Sequence, residues 1–335
     1  MDKKVIFAVA GSGKTTYIVD NLSLDKRSLI ITYTTGNYRN LCTKIIKHFK
    51  ETWPKNIVVM SYFEFLYRFC YKPLLADKLK LKGILYEENR NRYIRQDCLD
   101  YYISPSKYVY SNRLALLLEK ANIIENIKQR LEKYFDEFII DEVQDIAGRD
   151  FNFLKLLMSA KLNMLFVGDF YQHTFNTSRD GNANQNLFND KSIYESQFTN
   201  QGFICDTISL AKSWRCSPNI CHFITNNLGI EISSHNSERN STIIFVSDSQ
   251  QIKEILQNQN IIKLHFQNSK KHGKDHKNWG ETKGEDKYID ICVMLNKTTF
   301  SKYEANRLKE LPISTRNKLY VAITRAHGNV YFIKE

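Results

Sequence analysis

The stretch VIFAVAGSGKTT at residues 5–16 decides the fold. Val5 to Val9 is an apolar run that predicts a short, fully buried strand. Gly11, Ser12 and Gly13 follow as a tight loop, and Lys14, Thr15 and Thr16 open a helix expected to run through Leu22. A strand, a glycine-rich loop and a helix start, in that order, form an anion site. Backbone N–H groups and the positive helix end face a phosphate there. In such a loop, spanning Ala10 to Thr16, Lys14 reaches the β- and γ-phosphates and the Thr15 hydroxyl ligates Mg²⁺. Ala8 stands where the strict G-x-x-x-x-G-K-[S/T] pattern has its first glycine. An ordinary glycine turn between strand and helix shares this local look, so the remaining chain has to decide.

The composition is that of a soluble globular protein. Of 335 residues, 42% are hydrophobic and 25% charged, and the formal charge is +12. Such a positive balance points to a polyanionic partner. No apolar stretch approaches the ~18 residues of a membrane span, so no membrane partner is expected. A strand beginning by residue 5 leaves no room for a signal peptide, and seven scattered cysteines without a CxxC pair read as reduced thiols. A cytoplasmic location is the expectation.

Strands then alternate with helices. Ser28–Thr32 (SLIIT) predicts a second buried strand, with a helix from about Asn40 to Phe49. Ile57–Met60 predicts a third, and Ser61 caps the helix YFEFLYRFC behind it. This rhythm argues for βα units on a parallel sheet. Residues 71–131 interrupt it with many Arg, Lys and Tyr and read as helical throughout. That insertion is either a nucleic-acid contact made by stacking and charge or a solvated amphipathic bundle. The rhythm resumes with Glu137–Ile140, which runs into Asp141-Glu142-Val143-Gln144-Asp145, and with Met164–Val167, which runs into Gly168-Asp169-Phe170-Tyr171-Gln172. Both place polar groups at the C-terminal sheet edge, where open α/β sheets bind ligands. Asp141 is suited to hold Mg²⁺ through water. Glu142 is suited to take a proton from an attacking water. Residues 176–190 are polar and predict a loop. A second α/β region begins near Asp206, with strands at Thr242–Val246, Ile261–Phe266, Ile289–Leu295 and Val330–Ile333. Residues 267–279 form a Lys-rich loop whose histidine spacing does not suggest metal; it reads as solvated or phosphate-facing.

In order along nearly the whole chain, these motifs resemble the superfamily 1 DNA helicases of the UvrD/Rep/PcrA type. YTTGNYRN (33–40) is similar to the family's first DNA-contact motif and Val58–Cys70 to the next. DEVQD (141–145) resembles DExQD, and VGDFYQHTF (167–175) resembles VGD-x-x-Q-S-I-Y. SWRCSPNI (213–220) resembles N-Y-R-S-x-x-x-I, TKGEDKY (282–288) resembles S-K-G-L-E-F, and KLYVAITRA (318–326) resembles L-x-Y-V-A-x-T-R-A. The resemblance implies two RecA-like parallel-sheet P-loop domains, residues 1–205 with the insertion at about 71–131 and residues 206–335. It implies an ATPase with ATP and Mg²⁺ as ligands. Lys14 and Thr15 bind phosphate and metal, Asp141 the metal, Glu142 is the base and Gln172 senses the γ-phosphate. Arg215 and Arg325 complete the γ-phosphate site. Trp214 stacks on adenine, and Gly284 with Glu285 or Asp286 meets the ribose. Tyr33, Thr34, Ser61, Tyr62 and Phe175 take the nucleic-acid positions, and single-stranded or tailed DNA is favoured over RNA as the partner.

The chain departs from that family in three places. Only four residues precede the first strand, where the family reads adenine with a Gln-containing segment. Asn176 to Gly181 lacks the second stacking aromatic of the third motif. Only residues 221–279 separate the SWRC and TKG motifs, so the usual accessory domain is reduced or absent. Two activities therefore remain open: a motor that translocates or unwinds from 3′ to 5′, or a nucleic-acid-responsive ATPase subunit. The second would gate a protein partner, such as a nuclease in an anti-phage system, without processive unwinding.

Overall fold

The computed structural model describes residues 1–87, 89, 93–174, 183–273 and 275–335. They form an α/β protein with two compact units. One comprises Met1–Ile6, Thr15–Gly168 and Phe175–Asp206; the other comprises Phe7–Lys14, Asp169–Thr174 and Thr207–Glu335.

The first unit is built on the strands β1 (Lys3–Phe7), β2 (Ser28–Thr32), β3 (Ile57–Ser61), β6 (Glu137–Asp141), β7 (Asn163–Gly168) and β8 (Ile204–Asp206). A parallel pair, β4 (Gly83–Leu85) and β5 (Tyr108–Tyr110), lies apart from them. The main sheet runs β3-β2-β6-β7-β1-β8. Every residue of β2 is buried, as expected of a parallel strand covered on both faces. The first strand starts two residues earlier than its apolar run, where Lys4 pairs with Ile204 and the Asp2 carbonyl accepts from the Met164 N–H at 2.9 Å. The edge strand β8, parallel to β1 with Lys4 opposite Ile204, was not apparent from the sequence.

Capping fixes two helix starts. The Thr34 hydroxyl accepts from the Asn37 N–H at 3.1 Å, so the helix behind β2 spans Thr35–His48 and begins before Asn40. Ser61 accepts from the Glu64 N–H at 3.3 Å, and the helix it starts widens into a π-type segment at Phe65–Tyr71.

The insertion is helical at its ends, Lys72–Leu79, Ser111–Lys120 and Ile124–Tyr134, but not throughout. Lys80 adopts a left-handed backbone with φ 49° and ends the first of these helices. The alternating run after it pairs as β4 with the aromatic YVY of β5, which suits a pleated strand better than a helix. Arg113 is buried, 3.7 Å from the Tyr101 ring centroid, so this basic–aromatic pair holds the insertion together from inside.

Gly168, which ends β7, lies against the turn that follows β6. A Cβ there would fall 2.3 Å from the Gln144 amide oxygen and 2.9 Å from a Val143 methyl. Gly168→Ala is therefore expected to destabilise the protein by about 1–3 kcal/mol through overpacking. Urea unfolding checks this as a lower midpoint with an unchanged slope.

The second unit holds a short parallel pair, β9 (Lys212–Ser213) and β10 (Ser233–Ser234), and a parallel five-stranded sheet. The sheet's strands are β11 (Ile243–Phe245), β12 (Ile262–His265), β13 (His276–Asn278), β14 (Ile291–Leu295) and β15 (Val330–Lys334), in the order β11-β15-β14-β12-β13. Trp279 is fully buried in its core and donates its indole N–H to the Leu264 carbonyl at 3.0 Å. The helix Ile313–Ile323 buries Leu319 through Ile323 without a break, so KLYVAI is core on nearly every side. Among the described residues no helix is long and apolar enough to cross a membrane.

Candidate active site

In the first unit the chemistry gathers where β6 ends. The Thr15 hydroxyl lies 3.5 Å from a carboxylate oxygen of the buried Asp141. A hydroxyl and a carboxylate side by side are hard oxygen ligands of the kind Mg²⁺ takes, so the residues fit that ion. The neighbouring Thr16 hydroxyl accepts from Lys44 at 2.8 Å. Glu142 is the first residue past the strand and has a left-handed backbone, φ 60° and ψ 49°. The Gln144 amide donates to its carboxylate at 2.5 Å. A glutamate in that region is uncommon, and such residues collect where a side chain must be aimed against backbone preference.

The second unit gathers the glycine loop and the remaining candidates. Gly11 and Gly13 have φ of 69° and 89°, a conformation that glycine adopts without steric cost. A Cβ on Gly11 would lie 2.7 Å from the Arg215 Cβ and 2.8 Å from the Ser213 hydroxyl, so the loop admits no side chain at that position. The Gly11 carbonyl accepts from the Trp214 N–H at 2.9 Å. Ser12 is 3% exposed, and its hydroxyl has no hydrogen-bond partner among the described residues. An orphaned donor in a loop of this shape fits a phosphate oxygen.

Below the loop lies a network that sequence reasoning missed. The fully buried Tyr320 hydroxyl accepts from the Ala10 N–H at 2.9 Å and donates to Asp169 at 3.0 Å. The same carboxylate oxygen accepts from the Gln172 amide at 2.9 Å, and its partner oxygen accepts from the Tyr171 N–H at 3.1 Å. Asp169 thus fixes the Gln172 side chain, and Tyr320 ties both to the loop. Burial, with the Asp169 charge beside it, drives the Tyr320 phenol well above its ordinary value, so it stays protonated and can donate. Tyr320→Phe leaves a buried N–H and a carboxylate oxygen each short of one partner. A loss of about 1–3 kcal/mol is expected, read as a lower thermal midpoint.

The arginines are already engaged. Arg215 pairs through Nε with Asp286 at 2.5 Å and donates from Nη1 to the Thr324 carbonyl at 2.9 Å. Asp286 also meets His327 at 2.8 Å. Glu285 pairs with Lys277 at 2.5 Å and with the Tyr288 hydroxyl. Between these two acids and the left-handed Gly284, with φ 81°, the geometry singles out neither as the ribose partner. Arg325 is 2% exposed and donates to the Val321 carbonyl at 3.1 Å and to those of Thr282 and Glu285 at 3.4 and 3.3 Å. It braces the chain beside the TKGED segment.

Trp214, by contrast, is 62% exposed. One face stacks on His235, with centroids 3.8 Å apart and the rings within 9° of parallel. The paired β9 and β10 bring these two rings together, a support invisible in sequence because His235 lies 21 residues along. The Trp214 ring edge stands 3.8 Å from where a Cβ on Gly13 would be, so the indole adjoins the loop.

The expected nucleic-acid positions divide. Tyr33 is half-buried and joins Phe63 at 5.8 Å, and Phe63 meets the exposed Tyr86 edge-on at 5.4 Å. Phe63, within the Val58–Cys70 stretch, and Tyr86, which was not anticipated, extend this aromatic surface. Thr34 and Ser61 cap helices by accepting a backbone N–H, which leaves each hydroxyl hydrogen able to donate to a phosphate. Tyr62 is 2% exposed and supports Tyr33 from beneath, which leaves it no face to offer a base. Phe175 lies outside the described residues.

No protein-family model and no curated protein matches the chain. Solved structures do. The arterivirus nonstructural protein 10 helicase, solved with DNA, aligns over 99% of this chain at 14% identity with a TM-score of 0.52. The shared feature is the helicase fold. The PRRSV helicase aligns over 99% of the chain at 12% identity with a TM-score of 0.49. The chain spans 60% and 52% of the lengths of these two proteins. The likeness fits two RecA-like parallel-sheet domains and extends no further than the fold.

Proposed function

We propose that this chain is an ATP-hydrolysing motor of the UvrD-like superfamily 1 kind, acting on single-stranded or tailed DNA and moving 3′ to 5′. The observation that carries the reading is the glycine loop around the orphaned Ser12 hydroxyl, tied through Tyr320 and Asp169 to Gln172. A phosphate-binding loop linked rigidly to a polar sensor is what nucleotide-driven movement needs. The family order of motifs and a structural relative solved with DNA support the nucleic-acid half of the proposal.

The motif resemblance, together with the placements above, supports the following roles. Ser12, Lys14 and the loop amides hold the phosphates; Thr15 and Asp141 hold Mg²⁺, which neutralises phosphate charge when bound. Glu142 accepts the proton of the attacking water. Trp214, backed by His235, presents its open face to the base, where an aromatic contact is worth about 0.5–1.5 kcal/mol. Tyr33, Phe63 and Tyr86 offer rings for stacking on nucleic-acid bases. Residues 1–205 and 206–335 then act as the two RecA-like cores.

The test is the ATPase rate with and without a single-stranded oligonucleotide, followed by strand separation on a 3′-tailed duplex. The expected result is strong stimulation, ATP-dependent unwinding that Lys14→Ala abolishes, and DNA affinity that falls steeply with salt as counterions are released. Stimulated hydrolysis without strand separation would replace the motor with the ATPase subunit that gates a partner. No hydrolysis with or without DNA would overturn both.

A further inference from the structure

We propose that the edge of the five-stranded sheet carries a site for a divalent transition metal, built from His265, His272 and Glu335. One ligand atom from each lies within 4.8 Å of the others. The three come from the end of β12, the loop before β13 and the end of β15, so folding assembles the site from distant sequence. His265 Nδ1 faces a Glu335 carboxylate oxygen at 2.9 Å. The His272 ring lies over the His265 ring at 4.2 Å and within 8° of parallel.

The tautomer is set from behind. The other nitrogen of His265, Nε2, is 2.8 Å from His276 Nδ1. A metal on His265 Nδ1 puts the ring proton on Nε2, from which it is donated to His276. That outer hydrogen bond is what metal-bound imidazoles usually have. His265 is buried, so this ligand is preset, whereas His272 and Glu335 are exposed and free to rotate inward. Tetrahedral ligands about 2.0–2.1 Å from zinc are roughly 3.3 Å apart, and side-chain rotation closes the remainder. Two nearby lysines are occupied elsewhere, Lys277 with Glu285 and Lys263 with the Asn258 carbonyl, each at 2.5 Å.

Two imidazoles and one carboxylate select a borderline cation such as zinc over Mg²⁺ or Ca²⁺, which take oxygen. Three protein ligands leave a fourth position for water. The metal would staple β12 to β15 and pin the Lys-rich loop between β12 and β13. Residues 267–279 alone could not reveal this set, because His265 and Glu335 lie outside them.

The test strips the full chain with chelator, loads it with Zn²⁺, desalts it and counts zinc per chain. About one equivalent should remain, and the thermal midpoint should rise by about 5 °C or more with zinc 100-fold above its dissociation constant. His272→Ala, an exposed change, should fold like the parent but lose both the zinc and the shift. Glu335→Gln should weaken binding at least tenfold, and His222→Ala, exposed and outside the cluster, should change nothing. Failure to retain zinc, equal retention by His272→Ala and Glu335→Gln, or displacement by millimolar Mg²⁺ would each overturn the proposal. None of these readouts depends on ATP hydrolysis.

Discussion

Glu142→Gln is expected to lower the DNA-stimulated ATPase rate by about 10²–10⁴, the usual contribution of a positioned general base. Nucleotide affinity should change little, because the loop that holds phosphate is untouched. The substitution is nearly isosteric and keeps an acceptor for the Gln144 amide, which now donates to Glu142 at 2.5 Å. The left-handed backbone at 142 also remains. The loss should therefore appear in kcat with an unchanged thermal midpoint. Single-turnover hydrolysis beside nucleotide binding checks it. A comparable loss of binding would mean that Glu142 shapes the site and is not its base.

Arg215→Ala should cost still more, about 10³-fold or above in kcat, if its guanidinium meets the γ-phosphate as arginines do in related chemistry. In the structure that side chain is held in place by its own unit. Its Cβ packs against Gly11, and its guanidinium is shared between Asp286 and the Thr324 carbonyl. Arg215→Lys should rescue little, since an ammonium cannot reproduce a planar fork. The Asp286 partnership adds a pH signature. Burial pushes this carboxyl up, but Arg215 and His327 outweigh it and hold it below its usual value of 3.8. A folded value below the unfolded one gives stability that is present above about pH 4 and lost as pH falls through the folded value. Arg215 should thus stay anchored at neutral pH, and Asp286→Asn should remove that acid-side dependence. A rate in Arg215→Ala within tenfold of the parent would remove this residue from the chemistry.

The parts of the fold written in short apolar runs were legible. SLIIT is an inner strand buried on both faces, as a continuous apolar run in a parallel sheet requires, and IVVM forms the edge strand beside it, buried on alternate residues. The middle of the insertion was not, because its alternation is short and lysine-rich and its partner strand lies more than twenty residues on. The placement of Gly11 in a tight loop and of Asp141 at a strand end was legible, because turn and strand dictate those positions. Their support was hidden for a physical reason. Tyr320 and Asp169 are 151 residues apart, and no local pattern announces a buried hydrogen bond across that interval. Thr34 and Ser61 show that residue types that suit a phosphate contact also suit a helix cap, and both do cap helices here.

Glu142 carries a consequence for anyone evolving this protein. A side-chain-bearing residue in the left-handed region gives up about 1–2 kcal/mol relative to the ordinary helical basin. Glycine and asparagine accept that geometry at less expense. Selection for heat resistance alone will thus drift toward them at position 142. If Glu142 is the base proposed above, lineages that gain in melting temperature there will be those that have stopped turning over, and a directed-evolution campaign must screen hydrolysis in the same round.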